Sequence, residues 1–288
     1  MDIKACSKII DKNFPQIHIG NIEQIFEGWD FDVFEVNGKL IFRFPKRHET
    51  EDMVQKEINL LPELAKVLSV SIPNFEFIGE YHKKVFVGYR KIPGLPLASC
   101  DYNSGNLADQ LAKVITETHH FPVHKATELK VPNINWRREY VEFYDKVRDK
   151  AFPLMNEALQ EKAVAVWEGF LDNEDNFRFE PVFIHHDLSG CAHILCDPER
   201  GEITGIIDWG DAAIGDPAID FTGIYWDCGE EFTKQVLAKH GGKVDETFWE
   251  RMVFYYKIGA FYEIEYGQLI NDSVHIKNGL EFLSKTLR

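Results

Sequence analysis

No CxxC pair occurs in this sequence, and the five cysteines (Cys6, Cys100, Cys191, Cys196, Cys228) are odd in number and scattered. That excludes a cysteine-rich zinc site and a disulfide scaffold, and it predicts reduced thiols. There is also no apolar run of about eighteen residues, which excludes a membrane-spanning helix. The opening MDIKACSKIIDKNFPQ has an early acid and no long apolar stretch, against a secretory leader, so a cytoplasmic protein is expected. Basic residues are scarce: 32 Lys plus Arg face 47 Asp plus Glu, a formal charge of −15. Such an excess repels nucleic acid and anionic membrane and favours cationic ligands. GxxxxGK[ST], GxGxxG, HExxH and GxSxG are missing, so P-loop, Rossmann, zincin and α/β-hydrolase sites are not signalled.

What is present is enough for a sizeable core: 288 residues, 44% of them hydrophobic. IEQIFEGWDFDVFEVNGKLIFRFPKR alternates apolar and polar residues around a turn signal at Asn37-Gly38, and predicts three strands. Met53, Val54, Ile58, Leu61 and Leu64 recur at helical spacing, with the helix ending in the run before Pro73. FEFIGEY and KVFVGYRKI predict a further antiparallel pair. Residues 1–92 therefore form a small sheet with one helix packed on it. PGLPLASCDYNSG breaks the pattern and sets a boundary near Pro93. Residues 93–288 are mainly helical: LADQLAKVITETHHF, 136–150, 157–171, EFTKQVLAKHGG, 247–270 and a last helix from 273. Their aromatics at helical spacing read as core, and Gly241-Gly242-Lys243 as a helix C-cap. The class is α+β.

The interruption in the helical half, PVFIHHDLSGCAHILCDPERGEITGIIDWGD, reads as short strands joined by turns. A loop after a strand lets side chains converge on an exposed cleft while the scaffold stays rigid. Asp187 stands in the first loop. Asp208 stands twenty-one residues later, at the end of the strand EITGII. Two carboxylates from neighbouring strand ends, with an imidazole between them in sequence, suggest one base and one divalent-metal site.

HHDLSGCAHIL and GIIDWGDAAIGDPAIDF resemble the two signature segments of the aminoglycoside phosphotransferases, the 2''-type kinases above all. LIFRFPKR, EINLL, YRKIPGLPL and ITETHHFP fall in that family's order. The resemblance implies a bilobal protein-kinase-like fold, with a small antiparallel-sheet N-lobe that binds nucleotide and a larger, mainly helical C-lobe for catalysis and substrate. It implies transfer of the γ-phosphoryl group of ATP or GTP, with Mg2+, to a hydroxyl of an aminoglycoside. By position, Asp187 is the catalytic aspartate, and Asp208 and His193 hold the metal. Arg43 stands where the family carries a phosphate-binding lysine, with Glu57 as its ion-pair partner and Lys46 as a possible substitute. Gly28 belongs to a nucleotide-covering loop, and the backbone of Arg90 and Ile92 meets the purine edge. His185 organises the loop, with Asp220 as a partner, and Asp216 and Asp220 are structural acids. Candidates for the cationic substrate are Asp227, Glu230, Glu231, Glu263, Glu265 and Tyr266.

Two departures stand out. The family's second metal position falls on Ala192, with His193 one residue later, so the loop either bulges or loses a ligand; the small Gly190, Cys191 and Ala192 favour a bulge. Arginine also replaces lysine at 43. Rival readings are a kinase of a macrolide, choline, homoserine or a sugar, and a nucleotide-binding protein with little transfer activity. The histidine–aspartate pair of a helical metal phosphohydrolase is disfavoured because a strand precedes HHD.

Overall fold

A computed structural model describes residues 1–27, 30–47, 49–102 and 105–287. It opens with a helix, α1 (Ile3–Asn13), capped by the Asp2 carboxylate, which accepts from the Ala5 N–H at 2.8 Å. Then follow β1 (Ile22–Glu27), β2 (Phe31–Val36), β3 (Leu40–Pro45), α2 (Glu49–Leu64), β4 (Phe75–Tyr81) and β5 (Lys84–Arg90). The strands form one antiparallel sheet in the order β1-β2-β3-β5-β4. Asn37 and Gly38, both at positive φ, make the β2–β3 turn.

Alternation along the strands sorts this sheet into two faces. Phe34, Val36, Phe42, Phe44 and Phe86 turn to one side and bury against Cys6 and Ile10 of α1. Phe31 and Val87 turn to the other, against Val54 of α2. The sequence reading of a single helix on this sheet is corrected: α1 covers the second face, which would otherwise expose a row of phenylalanines.

The larger part contains β6 (Leu95–Pro96), α3 (Leu107–His119), α4 (Val123–Glu128), α5 (Trp136–Lys150), α6 (Glu157–Leu171), β7 (Val182–Ile184), β8 (Ile194–Asp197), β9 (Glu202–Ile206), β10 (Ala213–Gly215), α7 (Thr222–Lys239), α8 (Phe248–Ile270) and α9 (Ser273–Thr286). β6, β8 and β9 form one small sheet, and β7 pairs antiparallel with β10. Gly229, at φ 81°, kinks α7. Among the described residues no helix is long and apolar enough to cross a membrane.

The two halves share more than a linker. Leu60, Leu61 and Leu64 of α2 bury in the core of the helical part. Ser71 exchanges backbone bonds with β9: its N–H donates to Thr204 at 3.2 Å, and its carbonyl accepts from Ile206 at 3.0 Å. Cys100 and Cys196, expected as separate thiols, lie side by side with their sulfurs in contact. Pairing of Leu95 with Cys196 brings the segment after β6 onto β8, a proximity that spacing 96 residues apart does not reveal.

Candidate active site

Because β10 pairs back onto β7, with Ala213 opposite Ile184, the loop leaving β7 and the loop entering β10 emerge at the same end. Asp187 comes from the first and Asp208 from the second. Both line one cavity of about 820 Å3 between the sheet and the helices, together with Arg43 of β3.

Arg43 lies between Phe42 and Phe44 in β3, so the period of two turns it away from the phenylalanine core and toward the cleft. There its guanidinium sits 4.0 Å over the Phe31 ring. Nη1 donates to both oxygens of the buried Glu57 at 2.9 and 3.0 Å, and Nη2 donates to Asp208 Oδ1 at 2.7 Å. Burial alone would lower its pKa, but Asp208 and Glu57 hold it above the ordinary value. A planar fork reaches two carboxylates that a single ammonium could not bond in this way. Lys46, the expected substitute, lies 3.4 Å from Asp32 instead.

A buried carboxylate sets the loop after β7. Asp220 accepts from the backbone N–H of His185 at 2.9 Å and of His186 at 2.8 Å. These bonds hold His186 at φ 74°, a left-handed conformation that costs a non-glycine residue about 1–2 kcal/mol. The His185 ring donates from Nε2 to the Ile207 carbonyl at 3.0 Å, leaving Nδ1 to accept from the Asp187 N–H at 3.3 Å. Burial, with His193 beside it, lowers the His185 pKa to about 4, so the ring is neutral. Asp208 is a second left-handed residue, at φ 65°. The expected loop-organising role of His185 and Asp220 therefore takes a specific form: Asp220 bonds the backbone, and the ring links both loops. Asp216 bonds Arg251 at 2.6 and 3.0 Å and Tyr255 at 2.6 Å, deep in the helical core.

The Asp187 carboxylate opens into the cavity, yet it sits where solvation is poor, and this raises its pKa to about 6; His193 opposes the shift, while Asp211, Asp208 and Asp220 add to it. Poor solvation would also raise Asp208, but Arg43 first, then His193 and His185, hold it below the ordinary carboxylate range. The extra loop residue is absorbed as a turn: the Ser189 carbonyl accepts from both His193 N–H at 2.9 Å and Ile194 N–H at 3.1 Å. His193 thereby returns to the site. Its Nδ1 donates to the Asp187 carbonyl and stands 3.7 Å from Asp187 Oδ2, which leaves Nε2 as the free ring nitrogen. Magnesium needs one or two protein carboxylates, with phosphate and water oxygens completing its octahedron. Among the described residues no group of three or more His, Cys, Asp or Glu is arranged to hold a metal by itself; Asp208 and Asp187 line the same cavity as hard oxygen donors, which fits an ion whose remaining ligands come from phosphate and water.

The remaining expected residues lie elsewhere. Gly28 is outside the described residues. Arg90 ends β5 with its side chain on Glu76 at 2.9 Å, and Ile92 is buried against Gly205 at the start of the linker. Asp227, Glu230, Glu231, Glu263, Glu265 and Tyr266 are not among the residues lining the large cavity. Asp227 accepts from Ser189 Oγ at 2.7 Å and from the Cys191 N–H at 2.9 Å, so it braces the loop. Glu230 bonds Lys234 and Glu263 bonds His275, each at 2.6 Å, and the Tyr266 ring packs edge-on to His275.

The cavity wall contains groups that sequence reasoning missed. Trp136 and Glu139 of α5, Tyr262 of α8, Asp30 and Asp211 line it. Tyr262 stacks on Phe143 at 4.0 Å. The arginines beside Glu139 bond elsewhere, Arg137 to Glu174 and Arg138 to Glu142. The one available signal was the spacing of Trp136, Glu139, Tyr140 and Phe143, which lie on one helix face.

Residues 21–252, more than half of the chain, match the model of the phosphotransferase enzyme family. The GDP complex of wild-type aminoglycoside 2'-phosphotransferase-IIIa is similar over 100% of this chain and 99% of its own, with 34% identity and a TM-score of 0.92. A GDP and kanamycin complex of the same enzyme type matches equally well, at TM-score 0.92 over 98% of each chain. Viomycin phosphotransferase of Streptomyces vinaceus is 30% identical over 66% of both chains. An uncharacterized protein of Bacillus subtilis, YcbJ, is 25% identical over 94% of this chain and 92% of its own.

Proposed function

The chain belongs to the phosphotransferase enzyme family, and from that premise we propose that it transfers the γ-phosphoryl group of ATP or GTP to a hydroxyl of an aminoglycoside, with magnesium on the nucleotide. The carrying observation is that Asp187, Asp208 and the Arg43–Glu57 pair meet at a single cleft. Asp187 accepts or orients the acceptor's hydroxyl proton. Magnesium, when bound, would neutralise charge on the β- and γ-phosphates, held by Asp208 Oδ2 with Asp187 and His193 alongside. Arg43 supplies a fixed positive charge at the phosphates, and Glu57 keeps it in place. Residues 1–92 would hold the nucleotide, its purine edge against the backbone of Arg90 and Ile92. Residues 93–288 would hold the acceptor.

Several features favour a cationic acceptor. The cavity is lined by Asp30, Glu139, Asp187, Asp208 and Asp211, while its arginine is committed to two carboxylates. Trp136 and Tyr262 line the same cavity as Glu139, an aromatic and acidic wall of the kind that suits a cationic sugar. Asp227, just before the kink of α7, and Glu230 and Glu231, just after it, are further candidates.

The test is a substrate panel run with ATP and with GTP. Nucleotide turnover stimulated by kanamycin or gentamicin, and not by erythromycin, choline or homoserine, is the expected result, with NMR of the product locating the phosphate. Stimulation by erythromycin alone would overturn the acceptor assignment, and tight nucleotide binding without transfer to any of them would overturn the activity.

A further inference from the structure

A second cavity, of about 190 Å3, lies behind the catalytic loop; His119, His120, Glu180, Val182, His240 and Lys243 are among its walls. His119, on the last turn of α3, has only 2% of its side chain exposed. Its Nε2 lies 3.2 Å from Asp220 Oδ2, the oxygen that also accepts from the His185 N–H, and its Nδ1 lies 3.0 Å from His240 Nε2. The carboxylate can only accept, so His119 donates to it from Nε2 and accepts from His240 Nε2–H at Nδ1; held at both nitrogens, it cannot rotate away from Asp220. His240 is itself fixed. It ends α7, the Gly241 N–H donates to Thr116 Oγ1 at 2.9 Å, and Gly242 packs so closely that a Cβ there would lie 2.4 Å from the imidazole. The next residues after α7 are thus docked on the end of α3, with the His240 ring directed at His119. The far nitrogen of His240, Nδ1, is buried without a partner, so the hydrogen bond to His119 is the polar contact that the ring's placement serves.

We propose that His240 is a positioning residue for phosphoryl transfer: through His119 it fixes the Asp220 carboxylate, and through Asp220 the two backbone amides from which Asp187 projects. The chain of contacts runs from the end of α7 to the catalytic loop without passing through either substrate. Its loss therefore alters the placement of Asp187 and not the walls that hold nucleotide or acceptor. A misplacement of about 1 Å at a reacting group can cost about 10²-fold in rate. The kinetic consequence rests on the phosphotransferase reading of Asp187, whereas the effect on the loop does not.

The experiment compares wild type, His240→Gln, which keeps a donor near the Nε2 position, and His240→Ala. Two quantities are read: amide hydrogen exchange across residues 182–193, and kcat and KM for nucleotide and kanamycin. In His240→Ala, exchange of the His185 and His186 amides should rise about tenfold and kcat fall about tenfold, with both KM values within about twofold. His240→Gln should recover most of both. Unchanged exchange in His240→Ala overturns the relay, and raised exchange with unchanged kcat overturns the catalytic role. If His240→Ala does not fold, His240→Gln with wild-type exchange and kcat supports the proposal, and a loss of both despite its donor overturns it. Wild type that leaves kanamycin unmodified refutes the acceptor assignment, and the exchange comparison still decides the relay.

Discussion

The proposed role of Asp187 places three separate demands on it: an open carboxylate, a fixed backbone and a proton affinity near working pH. Asp187→Asn keeps size and most hydrogen bonding but cannot accept a proton. It should lower kcat by about 10²–10⁴-fold while nucleotide affinity, measured by calorimetry, stays within about threefold. Unaltered kcat would remove Asp187 from the chemistry. The buried histidines make a different prediction, about stability. Burial holds the pKa of His185 at about 4 and of His240 at about 3 in the folded chain, against about 6.5 for an unfolded histidine. Between those values the unfolded chain binds a proton that the folded one refuses, so stability falls as pH drops. Each ring contributes a slope of at most about 1.4 kcal/mol per pH unit, full stability being present above about pH 6.5. Asp187, raised to about 6, acts in the opposite sense over part of this range, so the histidine contribution is read as a difference: in urea unfolding at pH 7.5, 6 and 5 the wild-type midpoint should lose ground to that of His240→Gln as pH falls. A pH-independent difference would mean that the His240 ring is charged in the fold.

At the scale of elements, much of the site is a matter of close approach. Gly223, in the first turn of α7, lies against the catalytic loop: a Cβ there would stand 2.2 Å from the Leu188 carbonyl oxygen and 3.1 Å from Ser189 Cα. Both neighbours are backbone, so Gly223→Ala must push the loop and Asp187 with it. The expected outcome is a loss of kcat approaching 10²-fold in a protein that still folds. Gly169→Ala, on an exposed face of α6 with nothing near its Cβ, should instead stabilise by about 0.5–1 kcal/mol without touching kcat. Equal rates for Gly223→Ala and wild type would break the argument. Strand and helix periods in the sequence identify most elements, because Phe34, Phe42, Phe44 and Phe86 alternate cleanly and the long helices repeat at three and four. α1 escapes, although Asp2 and the spacing of Cys6, Ile9 and Ile10 carried its signal, because Lys4, Lys8, Asp11 and Lys12 interrupt its short apolar stripe. Asp227 was legible as a candidate acid for the cationic substrate but not as a brace, since its partner Ser189 is 38 residues away. Trp136, Glu139 and Tyr262 meet only through packing of α5 against α8, and aromatics at helical spacing read as core, which most of them are.

For the whole molecule the governing quantity is charge. A formal charge of −15 is spread over the surface, and five carboxylates line the cavity, two of them paired, Asp208 with Arg43 and Asp30 with Arg47, and the other three, Glu139, Asp187 and Asp211, left to add negative charge. A low-dielectric cleft lined by one sign focuses the field and concentrates counter-ions. A polycationic acceptor therefore arrives faster and binds more tightly at low salt. On the proposed reading the nucleotide is an anion entering the same cleft, and magnesium carried with it would offset the repulsion. Screening acts oppositely on the two. As the Debye length shrinks from about 30 Å at 0.01 M to about 8 Å at 0.15 M, kcat/KM for kanamycin should fall by about tenfold or more. The KM for nucleotide at saturating magnesium should change little or improve. Steady-state kinetics across that salt range, at constant pH, measure both. The sign of the kanamycin slope is the decisive feature: solvated surface acids far from the cleft would be screened at these concentrations with almost no effect on kcat/KM, whereas carboxylates converging on one cavity cannot be. A flat profile would place the acidic surface outside acceptor recognition and leave solubility as its role.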